Sequence, residues 1–152
     1  MKKGNYYSGK FRPSLIEKYE GNYKKIKYRS MWERQVFRWC DTSSNVVKWS
    51  SEEIAIPYRC KTDGKAHIYY PDLKILFDNG ETHLIEIKPK SQTIQPKKQT
   101  RLTKSYVTSV LMYAKNVSKW EAAQAWCKKQ GYIFSVWTED TIQDLGIKLL
   151  LK

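Results

Sequence analysis

Pro71-Asp72-Leu73-Lys74-Ile75-Leu76-Phe77-Asp78-Asn79-Gly80-Glu81-Thr82-His83-Leu84-Ile85-Glu86-Ile87-Lys88 is the stretch whose reading decides the fold. Two strand-like runs, Ala66–Phe77 and Glu81–Lys88, flank Asp78-Asn79-Gly80, a turn-forming trio that predicts a β-hairpin. In Leu84-Ile85-Glu86-Ile87-Lys88, a period of two puts Glu86 and Lys88 on one face and Ile85 and Ile87 on the other. The loop decides what lies across from Glu86. A two-residue Asn79-Gly80 turn would set Asp72 opposite Ile87, on the wrong face. A three-residue loop, a type I turn with Gly80 left-handed in a G1 bulge, pairs Phe77 with Glu81. It sets Asp72 directly opposite Glu86, with Cβ atoms about 4.5–5.5 Å apart. The three-residue loop is the expectation.

Two facing carboxylates repel unless a cation lies between them or one takes up a proton. Mg²⁺ (or Mn²⁺) suits such a pair, because it accepts one or two carboxylates and fills its shell with water and phosphate oxygens. Held by Asp72 and Glu86, with the Ile87 carbonyl as a further ligand, it would acidify an attacking water and neutralise charge on a phosphodiester. Lys88 would aim its ammonium at that water or at the scissile phosphate. The alternative is an exposed cross-strand charge pattern without chemistry. The [Asp/Glu]-x-Lys triplet occurs three times, at Asp63-Gly64-Lys65, Asp72-Leu73-Lys74 and Glu86-Ile87-Lys88, so strand context has to separate them.

Working outward, Ser30-Met31-Trp32-Glu33 fits a Ser-x-x-Glu capping box, and Trp32, Val36, Trp39 and Cys40 follow at helical spacing. The helix should stop within Asp41–Asn45. Glu33 has two readings, as a cap of its own helix or as an acid bordering the apolar stripe and reaching the metal site. Strands are expected at Val46–Trp49 and Glu53–Tyr58, with a turn at Thr62-Asp63-Gly64. Helical patterns run over Thr103–Lys115 and Ser118–Gln130, the second with a Ser118/Glu121 box of its own, and Gly131 is a C-terminal stop. Tyr132–Trp137 reads as a strand and Thr138–Leu145 as a short helix. The class is α/β: a small central mixed sheet flanked by helices.

A chain of 152 residues with 41% hydrophobic and 14% aromatic content is globular rather than a disordered basic tail, and one domain is expected, over 29–152. Residues 1–28, rich in Lys, Arg and Tyr and without a period, read as a basic arm. Its tyrosines either stack on bases or pack on the domain itself. Gly4-Asn5-Tyr6 recurs as Gly21-Asn22-Tyr23, too little for a repeat. The net charge of +13 calls for a polyanionic partner, and nucleic acid fits best. No run approaches the roughly 18 apolar residues of a membrane span, and no signal-peptide core is present. Cys40, Cys60 and Cys127 are widely spaced and read as reduced thiols. Lys90, Lys97, Lys98, Arg101 and Lys104 follow the carboxylate strand as a track for a phosphate backbone, with salt-sensitive binding expected. His67 is a structural or phosphate-contacting residue.

Tyr28-Arg29-Ser30-Met31-Trp32-Glu33, Trp49-Ser50-Ser51-Glu52-Glu53-Ile54-Ala55-Ile56-Pro57-Tyr58, His67-Ile68-Tyr69-Tyr70-Pro71-Asp72 and Leu84-Ile85-Glu86-Ile87-Lys88-Pro89-Lys90 together resemble the head completion nucleases of T4-like tailed bacteriophages. More distantly they resemble the catalytic domain of TnsA-type transposon endonucleases. The resemblance implies a PD-(D/E)xK restriction-endonuclease-like fold and metal-dependent cutting of DNA. It implies Glu33 as the helix acid, Asp72 and Glu86 as metal ligands and Lys88 as the catalytic lysine. It also implies processing of packaged DNA before the tail joins the head, beside phage head and portal proteins, in the host cytoplasm during assembly or on the virion. No membrane and no small-molecule cofactor are expected. The rival reading is a non-catalytic plug that binds the DNA end at the portal.

Overall fold

The computed structural model describes residues 8–149, so the Gly4-Asn5-Tyr6 half of the short recurrence lies outside the described residues. A two-residue ribbon, β1 (Gly9–Lys10) with β2 (Lys27–Tyr28), precedes α1 (Met31–Thr42). β3 (Val46–Ser50), β4 (Ile56–Arg59), β5 (Ala66–Tyr69), β6 (Leu73–Phe77) and β7 (Thr82–Ile87) come next. α2 (Lys104–Gln130), β8 (Ile133–Trp137) and α3 (Glu139–Asp144) complete the order. The central sheet runs β3-β6-β7-β8, antiparallel except for the parallel β7–β8 pair, while β4 and β5 form a separate hairpin. The long connection through α2 is what a parallel crossover requires. The architecture is the α/β arrangement with a mixed sheet that the sequence predicts.

The β6–β7 hairpin closes through the three-residue loop. Gly80 N–H donates to the Phe77 carbonyl at 3.0 Å, and Phe77 N–H to the Glu81 carbonyl at 2.9 Å. Gly80 is left-handed, with φ of 88°. Leu73 pairs with Ile85, so the next position outward sets Asp72 across from Glu86.

Each face of the sheet has its own core. Val36, Phe37 and Cys40 of α1 are fully buried with Trp49, Ile75 and Ile85, and Ile87 packs in the same cluster. Each side chain of that size is worth about 1.5–3 kcal/mol on burial. On the other face Leu84 packs with Ala123 and Cys127 of α2 and with Ile56, Tyr58 and Tyr69 of the β4–β5 hairpin. Alternation therefore sends Glu86 out on the α2 face and leaves α1 behind the sheet.

Two expectations change. Ala66–Phe77 is not one strand: β5 belongs to the hairpin and β6 to the central sheet, with the switch at Tyr70-Pro71-Asp72. Pro71 has no N–H to give a ladder, so the chain changes sheets there. The two helical patterns between 103 and 130 form one helix, capped by Thr103 and ended by left-handed Gly131. Ser118 is not a cap. Its hydroxyl donates to the Ala114 carbonyl at 3.0 Å and accepts the Lys61 N–H at 3.2 Å, bonds that a helix interior accommodates.

The described part of the N-terminal stretch packs through its aromatic residues. Tyr19 and Ile26 lie in the α1-side core, with Phe11, Tyr23 and Tyr28 against it. Buried Asp41 accepts the N–H groups of Ser14 and Leu15 at 2.8 and 2.9 Å, tying this stretch to the end of α1. No described helix is long and apolar enough to cross a membrane.

Candidate active site

Asp72 follows the proline that ends the small hairpin, and Glu86 lies near the end of β7 with only 5% of its surface exposed. Asp72 Oδ2 accepts the Ile87 N–H at 2.8 Å, which fixes its carboxylate beside β7. Burial pushes the Asp72 carboxyl well above the usual range. The Glu86 and Glu33 charges push it further, and the Ile87 N–H pulls only partly back. Lys88 lies 4.0 Å from Glu86 Oε2 and is the one cation joined to the pair by strand alternation. Of the other two triplets only Asp72 joins the site: Lys74 faces Glu20 at 3.6 Å, and Asp63 binds His67 in the β4–β5 turn.

Glu33 is bonded at the start of its own helix while its charge still acts on Asp72. Its Oε1 accepts the Arg29 N–H at 3.3 Å and its Oε2 the Ser30 hydroxyl at 3.2 Å, while Ser30 caps the Glu33 N–H. The capping reading of Glu33 is thus real, and it coexists with the action of the Glu33 charge on Asp72. Burial still raises its proton affinity, against the opposing bonds from Arg29 and Ser30. Among the described residues no three His, Cys, Asp or Glu side chains group closely enough to hold a metal ion. The donor set that fits a divalent cation is the Asp72–Glu86 pair. Its crowded, desolvated carboxylates are relieved by a positive charge, and Mg²⁺ needs no more than one or two of them from protein.

Two groups beside the pair escaped the sequence analysis. Lys119 of α2 lies over the Tyr69 ring, 5.5 Å from its centroid. Burial lowers its proton affinity; Glu86 and Asp72 oppose that shift, while Lys115 and Lys88 reinforce it. The Tyr69 hydroxyl is buried without a hydrogen-bond partner among the described residues. Burial, then the nearby Glu86 charge, raises its proton affinity. Nothing in a lysine-rich chain marks Lys119 in advance. Only the docking of α2 on the Leu84 face brings it here.

The expected nucleic-acid contacts divide. Lys104 lies with Lys88 on a groove between α2 and the segment after β7. Lys97, Lys98 and Arg101 are exposed on that connecting segment. Lys90 turns to α3, with its ammonium 3.2 Å from Asp140 and its N–H 2.6 Å from Glu139. His67 binds Asp63 at 2.8 Å and stacks on Tyr58, which is the structural alternative for that residue.

Residues 43–139, which carry Asp72, Glu86 and Lys88 but not Glu33, match the family described as TnsA-like endonuclease N terminal. The chain is 40% identical over 146 residues to the head completion nuclease of Enterobacteria phage T4, covering 93% of this chain and 97% of that protein. No solved structure matches it. With a strand-borne acid pair, a lysine beside it and this extent of likeness, the chain belongs to the TnsA-like endonuclease N-terminal family.

Proposed function

We propose that this protein is a metal-dependent DNA nuclease of the PD-(D/E)xK type. In this reading it cuts phosphodiesters internally and trims ends, processing packaged DNA during phage head completion before head and tail join. The observation that carries it is the placement of Asp72 across from Glu86 with Lys88 at 4.0 Å, on a chain of net charge +13. The family supports the activity, and the phage T4 relative supports the setting.

Asp72 and Glu86, with the Ile87 carbonyl, would hold Mg²⁺ or Mn²⁺. The bound ion would acidify water and offset charge on the phosphate. Lys88 orients the nucleophilic water and stabilises the developing negative charge. Lys119 supplies a second ammonium from the α2 side. Glu33 acts on Asp72 through its charge while its oxygens hold the start of α1. Lys97, Lys98, Arg101 and Lys104 attract the DNA backbone, and Lys90 and His67 would add to it by exchanging their carboxylate partners Asp140 and Asp63 for phosphate.

The test is cleavage of supercoiled and linear plasmid with Mg²⁺, Mn²⁺ or EDTA, using wild type, Glu86→Ala and Lys88→Ala. Metal-dependent cutting lost in both folded variants is the expected result. Binding without cutting under every metal would instead favour a DNA-end plug at the head portal.

A further inference from the structure

The groove beside Lys88 has a volume of about 830 Å³ and runs along the N-terminal half of α2, facing the segment that follows β7. Lys88 and Lys104 both line it, with Thr108, Ser109 and Tyr113 between Lys104 and Asn116 along the helix. From Lys104 to Asn116 a helix advances about 18 Å. Asn116 is 2% exposed, yet it is among the residues that line the groove. A side-chain amide at the edge of a groove carries two donors and an acceptor that a polar ligand entering it can use.

We propose that this groove binds a few unpaired nucleotides of a DNA strand next to the scissile phosphate, and so selects DNA whose ends or junctions are single-stranded. Lys88 and Lys104 take backbone phosphates, Ser109 and Thr108 offer hydroxyls, Tyr113 gives a face for a base, and Asn116 pairs with a base or sugar edge. Cations with an interleaved aromatic are the ordinary means of holding a single strand. The volume, within the roughly 300–1,000 Å³ of small-ligand pockets, suits a few nucleotides and not a duplex. The inference rests on the nuclease reading for its location beside a scissile phosphate, but its binding claim can be tested without catalysis.

The experiment measures fluorescence anisotropy in EDTA, using a labelled oligothymidylate and a blunt duplex of equal length. Wild type is compared with Ser109→Trp, which plugs the groove from an exposed helix position, with Asn116→Leu, and with Glu86→Ala. Wild type should prefer the single strand. Ser109→Trp and Asn116→Leu should each lose about tenfold in single-strand affinity, with duplex binding changed less than twofold. Glu86→Ala should keep the preference. If Ser109→Trp melts like wild type and keeps its single-strand affinity, or if wild type binds duplex at least as tightly, the inference is overturned. Groove-dependent binding in a protein that never cuts would leave this inference standing and remove the nuclease reading instead.

Discussion

Replacing Asp72 by Asn should stabilise the metal-free protein. Asp72 faces Glu86 across the β6–β7 pair, and both are drawn out of water. Two unit charges about 5 Å apart at an effective dielectric near 20 repel by roughly 3 kcal/mol. The raised proton affinity of Asp72 already relieves part of this, so a net gain of about 1–2 kcal/mol is expected. Asn retains a side-chain carbonyl for the Ile87 N–H that Asp72 now accepts at 2.8 Å. For a chain of this size the gain corresponds to roughly 3–7 °C in Tm. The pH dependence has a definite sign. Asp72 binds its proton more tightly folded than unfolded, so its contribution is most favourable at low pH. That contribution is lost as pH rises from the ordinary Asp value of about 3.9 through the higher folded one. In EDTA the advantage of Asp72→Asn over wild type should therefore widen from about pH 4 to neutrality. Mg²⁺ should raise the Tm of wild type and leave that of Asp72→Asn nearly unmoved. Circular-dichroism melts across this range, with EDTA and with Mg²⁺, read all of it. A variant that melts below wild type in EDTA at neutral pH would refute the reasoning, because the pair would then be net stabilising without a cation.

Three further outcomes follow from named contacts. Glu33→Gln keeps a carbonyl for the Arg29 N–H and turns an amide N–H toward the Ser30 hydroxyl, which can accept it, so melting should change by less than about 1 kcal/mol, while plasmid cutting should fall at least about tenfold. Undiminished cutting would reduce Glu33 to a helix cap. Lys119→Met should lower the single-turnover cleavage rate by about 100-fold and Lys119→Arg should restore part of it; equal rates would place Lys119 outside the chemistry. Gly80→Ala meets no atom within 4 Å, so its whole cost is the left-handed backbone, about 1 kcal/mol in chemical denaturation. Its cutting rate should stay at the wild-type value, since the β6–β7 ladder pins the acids.

The hairpin was legible because its constraints are local. Asp78-Asn79-Gly80 names its own loop, and counting back by pairs from Phe77 and Glu81 reaches Asp72 and Glu86 without knowledge of any other element. Ser30 and Glu33 likewise marked the start of α1, since a capping box uses only neighbouring residues. Ser118 misled because a serine followed by Glu121 also fits a helix interior, where its hydroxyl bonds to the preceding turn and to Lys61. The break at Pro71 was readable in principle from its missing N–H, but a run of strand-forming residues outweighed it. Lys119 and Asn116 could not be read at all. Their role depends on which side of a 27-residue helix meets the Leu84 face, and that is decided by residues far away in sequence.

The three-residue loop also has a consequence for how this chain tolerates changes of length. Within β6 or β7, one inserted or deleted residue rotates everything beyond it to the opposite face, so Asp72 and Glu86 would part company. Within residues 78–80 the same event alters only the connection, because the Phe77–Glu81 pairing can persist above a longer or shorter loop. A library of single-codon insertions and deletions should accordingly retain function at the loop tip and lose it a few positions to either side. Drift in length between descendants of this sequence should collect at Asp78-Asn79-Gly80, with the spacing from each acid to its end of the loop held constant.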